Sequence, residues 1–382
     1  MSDHSKRDHA RLSASGAHRW LNCTPSARLE EQFPDTTSEA AKEGTLAHEI
    51  CELKLSKELR GTRMVGIKKL RSHELYKPEM EEHTDQYVTD VMALAFEMGS
   101  PYVAIEQRLD LSAYIPEGFG TADCILIAGS HLAVVDFKYG KGVPVSAEHN
   151  PQMMLYALGA YEAYKLIYSI DKVSMHIVQP RISNSNSWTC GIEELLAFGD
   201  YVKERSALAG SGEGEFAPGD WCKFCRARQN CRARADANVR MAFFEESGKK
   251  PDLLTPEEIG AYIDMGEDVA AWLSDLKDYA LAQCLAGQEI TGYKAVAGRS
   301  TRSFDDADAA FADLIKAGVD EAILYERKPL TLAKIEKTIG KKAFESAVGS
   351  RVVKAPGKPT LVKSSDIREA ITNEVTAAEA FG

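Results

Sequence analysis

The sequence predicts an α/β protein. Helical and strand-like periodicities alternate over the first 180 residues, two apolar runs flank a glycine turn, and an Asn-Pro pair then opens a helix ahead of another strand-like run. Residues 1–35 read as irregular. A helix is expected over about 38–58, where Leu46, Ile50 and Leu53 recur at spacings of four and three. A polar, basic stretch precedes a second helix near 79–98, and 102–109 (YVAIEQRL) reads as a strand. The runs CILIA and LAVVDF flank Gly129-Ser130, a two-residue hairpin turn. Asn150 as N-cap and Pro151 at the first helical position begin a helix to about 168, and 173–179 reads as a strand. Gly210–Gly214 (GSGEG) reads as a loop. A helical region over 250–290 begins near Thr255, with Glu257 and Glu258 in its first turn. Composition changes from about 288, and Lys and Arg cluster between Arg327 and Lys363. A boundary is placed near 245, giving one domain over 1–245 and a helical, α+β appendage of unassigned role over 250–382.

The chain of 382 residues has room for two domains or three. It contains no run of about 18 apolar residues, and MSDHSKRDHARLSAS lacks the apolar stretch of a signal peptide, so a cytoplasmic protein is expected. The net charge of -11 taken alone opposes nucleic-acid binding, but local patches decide that property, and carboxylates that hold a metal do not repel phosphate once the metal is bound. The eight cysteines include a cluster, which in a reducing compartment points to metal binding or chemistry rather than disulfides.

With a two-residue loop, Ala128 faces His131, and counting back sets Asp123 opposite Asp136. Opposed like charges on paired strands are destabilising, so the pair calls for a cation such as Mg²⁺ or Mn²⁺, which prefer oxygen ligands. Lys138 shares a strand face with Asp136 and could act on an attacking water or on charge developing at a phosphate. A salt-bridged surface hairpin is the plain alternative. Gln152 and Tyr156 are four apart and share a helix face, with Gln152 in the first turn, where anions are favoured; a solvated Gln and a core Tyr are the alternative. His48 lies on the helix face of Gly44 and Glu52, away from Leu46, Ile50 and Leu53. Glu106, on the strand before the hairpin, is a further candidate.

Gly120-Thr-Ala-Asp123, Asp136-Phe-Lys138 and Gln152-Met-Met-Leu-Tyr156, in this order and after Gly44-Thr-Leu-Ala-His48, resemble the signature of RecB-like nucleases of the PD-(D/E)xK superfamily. The resemblance covers about residues 15–235. It implies a restriction-endonuclease-like core, a mixed central sheet flanked by helices. It also implies a metal-dependent deoxyribonuclease, expected to be an exonuclease, with His48, Asp123 and Asp136 as metal ligands and Lys138, Gln152 and Tyr156 in the catalytic set. The substrate would be single- or double-stranded DNA ends.

Cys222, Cys225 and Cys231 form C-x2-C-x5-C, three ligands for one centre. Cys23 is the best fourth, because it precedes the core as the other three follow it. This arrangement is similar to the iron–sulfur nucleases of the same family, the AddB type and the CRISPR-associated adaptation nuclease. There four thiolates hold a [4Fe–4S] cluster as a structural staple. A zinc site with the same ligands is the alternative. Lys223, Arg226, Arg228, Arg232, Arg234 and Arg240 crowd this knuckle, as a DNA-tracking patch or a solvated helix face. Gly292–Arg302 is alternating and basic, a candidate strand near DNA. Similar tails occur in phage-encoded members, which implies phage recombination and a possible single-strand-binding or annealing partner. A catalytically silent iron–sulfur DNA-binding module and an iron–sulfur redox protein are the rival functions; the carboxylate–lysine set has no purpose in the latter.

Overall fold

The structure is a computed structural model that describes residues 11–34, 38–242, 255–296, 306–318, 320–325, 330–348 and 351–352. Short helices α1 (Ala17–Asn22) and α2 (Ser26–Leu29) occupy part of the stretch expected to be irregular. Helices this short are unstable alone, so periodicity does not announce them. They form because Trp20 and Leu21 are buried and the Trp20 indole donates to the Ser13 carbonyl at 2.9 Å. Next, α3 (Glu39–Arg60) starts at Ser38, whose hydroxyl accepts from the Ala41 N–H at 3.2 Å. Its buried face is Leu46, Ala47, Ile50, Cys51, Lys54 and Leu55; the expected Leu53 lies at the margin of that face. A short α4 (Ile67–Arg71) follows, and α5 (Glu79–Glu97) packs against α3.

β1 (Tyr102–Asp110), β2 (Phe119–Ala128), β3 (His131–Phe137), β4 (Lys172–Gln179) and β5 (Asn184–Gly191) form one mixed sheet in the order 1-2-3-4-5. Only β3 and β4 run parallel, and α6 (Pro151–Tyr164) connects them. The hairpin register is the expected one, Ala128↔His131, and Gly129 takes a left-handed φ of +58° at the first loop position, where a Cβ is unwelcome. Asn150 caps α6, its side chain accepting from the N–H groups of Gln152 and Met153; the helix stops at Tyr164, short of 168. Sequence analysis does not anticipate β5. NSNSWTCG is rich in residues with poor strand preference, and the segment is a strand because its backbone pairs with all of β4, from Lys172↔Gly191 to Gln179↔Asn184. α7 (Ile192–Ser211) absorbs Gly210 and Ser211, so only the rest of GSGEG is loop.

Helices cover both sheet faces. Ile125, Ile127, Leu132 and Val134 pack with Met153, Leu155, Leu195 and Val202 of α6 and α7. Cys124, Leu126, Ala133, Val135 and Phe137 pack with Ile50, Leu55, Tyr87 and Val91 of α3 and α5. Burial on both faces explains why CILIA and LAVVDF read as continuous apolar runs.

The chain divides into two compact units, Met1–Val296 and Ala297–Gly382. Residues 243–254 lie outside the described ones. Beyond them α9 (Pro256–Leu285), capped by Thr255 and Glu258, packs on α8 (Arg232–Ala242). Arg234 Nη1 lies 2.5 Å and Arg228 Nε 3.2 Å from the Asp275 carboxylate. In the second unit, α10 (Ala307–Lys316), α11 (Glu321–Leu324), α12 (Leu332–Ile339) and α13 (Lys341–Val348) are short, with Phe344 buried. The strand expected over 292–302 is represented only by an isolated bridge, Ile290↔Tyr293; 297–302 and much of the Arg327–Lys363 stretch lie outside the described residues. Among the described residues no helix is long and apolar enough to cross a membrane.

Candidate active site

The site sits where the sheet forks. The β2–β3 ladder ends at Cys124↔Val135, while β1–β2 pairing runs on to Asp110↔Phe119 and β3–β4 pairing to Phe137↔Val178. Past Cys124 each inner strand stays with its outer neighbour. Asp123 and Asp136 are opposed in register just beyond the last paired rung. There the Asp123 side chain replaces the ladder, Oδ2 accepting from the Phe137 N–H at 2.7 Å.

The fork admits α3. His48 Nδ1 lies 3.3 Å from Asp123 Oδ1, and its ring meets Phe137 edge-on at 5.2 Å between centroids. Across β2, Glu106 stands in register with Asp123, between the paired rungs Ile105↔Cys124 and Gln107↔Ala122. Glu106 has φ +48°, a left-handed backbone that costs a non-glycine residue on the order of 1–3 kcal/mol and clusters at functional sites. Among the described residues, His48, Glu106 and Asp123 are the one set of three whose ligand atoms lie within 4.8 Å of one another. Sequence reasoning named Asp136 as the third ligand; in the structure Glu106 completes the tight trio, and Asp136 lies beside it. The signal for Glu106 is its register with Asp123, visible only once β1 is known to pair with β2.

Asp136 is 3% exposed, and Lys138 Nζ lies 3.1 Å from its Oδ2, off the angle of a hydrogen bond, which leaves that oxygen with a cation nearby but no donor. Lys138 donates instead to Gln152 Oε1 at 2.9 Å, and Gln152 Nε2 donates to the Tyr156 hydroxyl at 3.0 Å. Asp136, Lys138, Gln152 and Tyr156 are thus joined in one chain, and Asp123, opposed to Asp136 in register, is joined to His48. Tyr156 is both the core tyrosine of the plain reading and part of the site: it is 7% exposed and packs over Gly120.

The charges do not balance. Burial raises the Asp136 carboxyl above its usual range, repulsion from Asp123 adds to this, and Lys138 opposes it. Burial and then Asp123 push Glu106 up to about 7. Burial alone would depress His48, but Asp123, Asp136 and Glu106 push it up to about 9. For Asp123, burial is outweighed by His48 and the Phe137 N–H, which hold its carboxyl below the usual range. Three carboxylates around one imidazole and one ammonium form a site that a divalent cation suits.

Cys23, Cys222, Cys225 and Cys231 line a single cavity with Arg19, Trp221 and Arg234. Cys23 and Cys225 are buried. Burial pushes the Cys225 thiol up to about 12. Cys51, Cys124 and Cys190 are buried elsewhere, and Cys284 is on α9. The basic knuckle is partly neutralised: Arg228 and Arg234 pair with Asp275, while Lys223 lies over the Phe224 ring, 5.1 Å from its centroid.

A family profile described as "Protein of unknown function (DUF2800)" matches residues 9–369. The solved structure titled "Crystal structure of SSO0001" is similar over 55% of this chain and 95% of that one, at 14% identity and a TM-score of 0.25.

Proposed function

The chain belongs to the DUF2800 family, and from its own site we propose that it is a metal-dependent deoxyribonuclease of the RecB-like PD-(D/E)xK type. It would act as an exonuclease on DNA ends in phage recombination or DNA processing. The observation that carries this reading is the fork itself: His48, Glu106 and Asp123 within 4.8 Å, next to a chain from Asp136 through Lys138 and Gln152 to Tyr156. The donor set of one imidazole and carboxylate oxygens suits Mg²⁺ or Mn²⁺, and the buried Asp136 Oδ2, which accepts no hydrogen bond, is a further oxygen beside it.

His48, Glu106 and Asp123 would hold the ion, with Asp136 alongside. Such an ion supplies Lewis acidity toward a phosphate oxygen and lowers the pKa of water. Lys138, a quarter exposed and 3.1 Å from Asp136 Oδ2, would place a positive charge where a phosphodiester gains negative charge on attack. Gln152 fixes the Lys138 ammonium, and Tyr156 fixes Gln152.

The four-cysteine cavity is assigned to a [4Fe–4S] cluster with a structural role. A tetrahedral zinc held by the same four thiolates is the alternative.

The deciding experiment uses anaerobically purified protein on end-labelled single- and double-stranded DNA with Mn²⁺ or Mg²⁺. Wild type should cleave, EDTA should stop it, and Asp136→Ala should lose roughly 10²–10³-fold or more in turnover with the fold intact by circular dichroism. Full activity in either condition removes the nuclease assignment and leaves the silent DNA-binding module.

A further inference from the structure

The face that carries Glu106 and Asp123 continues along β1 and β2. Arg108 pairs with Thr121 on the next rung and Asp110 with Phe119 on the one after. Alternate residues share a face, so Arg108 stands one rung from the ligand trio, about 7 Å along the strand. Its guanidinium lies over the Phe119 ring, 3.9 Å from the centroid. Arg108 is exposed, and among the described residues no carboxylate pairs with it; of the two carboxylates two residues away on its strand, Asp110 accepts the Ser112 N–H at 2.8 Å and Glu106 belongs to the ligand trio. A cation without an ion pair thus stands one rung from a strongly acidic centre.

Phe119 and Thr121 line a cavity of about 490 Å³ together with Ser13, Thr45, His48 and Glu106. Its walls include the hydroxyls of Ser13, Thr45 and Thr121 and the aromatic rings of Phe119 and Tyr156, and it contains the candidate ligands His48 and Glu106. A guanidinium is suited to phosphate and an aromatic ring to a nucleobase. A cavity of this size takes a ligand the size of one or two nucleotides, not a double helix.

We propose that Arg108 and Phe119 form the holding position for the nucleotide adjoining the scissile phosphate, and that the segment entering the cavity is single-stranded DNA with unstacked bases. The proposal rests on the nuclease reading above. Arg108 binds the neighbouring phosphate, Phe119 stacks the base, and both act as positioning residues, since neither reaches the reacting atoms.

Two substrates and one titration separate this placement from the nuclease reading itself. Bis(p-nitrophenyl) phosphate, a small diester with no neighbouring nucleotide, reports the chemistry alone, and a labelled single-stranded oligonucleotide reports the placement. Arg108→Gln should raise KM for the oligonucleotide about tenfold with kcat within twofold, and turn over the small diester like wild type. Fluorescence anisotropy should show the slope of log affinity against log salt falling by about 0.7, as for one lost contact to a single strand, and Arg108→Lys should restore that slope. Phe119→Leu should raise the oligonucleotide KM and spare the small diester. Blunt duplex should be cleaved at least tenfold less efficiently than the single strand. An unchanged KM and salt slope in Arg108→Gln, or equal cleavage of duplex and single strand, overturns the proposal. A wild type that hydrolyses neither substrate overturns the nuclease reading, and the anisotropy titration then decides the binding position by itself.

Discussion

At the scale of single residues, the site is organised by charge that the protein alone does not neutralise. His48 is pushed up to about 9 by its carboxylate neighbours, against burial. In the metal-free fold it therefore keeps a proton that an unfolded histidine, near 6.5, gives up. The His48–Asp123 pair stabilises the metal-free protein fully below pH 6.5, and that contribution is lost as pH rises through about 9. A metal must displace this proton, so Mn²⁺ affinity should climb between pH 6.5 and 9, with about one proton released per ion near pH 7.5. Calorimetry in buffers of different ionisation enthalpy measures that release directly. Glu106→Gln should lower affinity at least tenfold; an affinity flat across this range, or untouched by that substitution, would remove Glu106 and His48 from the ligand set.

At the scale of elements, the motifs act by contact between neighbours far apart in sequence. Gly120 is fixed by tyrosine packing: a Cβ there would stand 2.8 Å from Tyr156 Cε1, in a ring that is 7% exposed. The glycine of the β2 motif thus makes room for the tyrosine of α6, which holds Gln152 and through it Lys138. Gly120→Ala should destabilise the protein by about 1–3 kcal/mol, the usual effect of overpacking, and lower turnover as the Tyr156–Gln152–Lys138 chain shifts. Gly44→Ala is the contrast. Nothing lies within 4 Å of its added Cβ on α3, so it should stabilise by roughly 0.5–1 kcal/mol. Equal melting temperatures for the two variants would show that the Gly120–Tyr156 contact is slack.

At the scale of the molecule, the four cysteines come from segments of the first unit that are about 200 residues apart, Cys23 in the segment after α1 and Cys222–Cys231 ahead of α8. A centre bound by all four closes that long loop and couples to folding. Cys23→Ser and Cys225→Ser should each lose iron and sulfide, bleach the brown colour and melt at lower temperature. Cys284→Ser on α9 should do none of these. Stoichiometric zinc without sulfide in anaerobic protein would replace the cluster assignment, and full iron in Cys23→Ser would move the fourth ligand elsewhere.

Local chemistry alone determined the longer helices, the β2–β3 hairpin and its register, because caps, turn glycines and apolar runs act within a few residues. That register aligned Asp123 with Asp136, and the cysteine spacing grouped three of the four cysteines that line one cavity. The tertiary structure decided the rest. β5 is polar and exists only because β4 offers its edge; α1 and α2 are too short to form without Trp20 buried. The compact unit extends past 245 because Asp275 on α9 meets Arg228 and Arg234 on and beside α8. Glu106 joined His48 and Asp123 because β1 pairs with β2 while the β2–β3 ladder stops at Cys124, and no pattern along one strand encodes where two strands part.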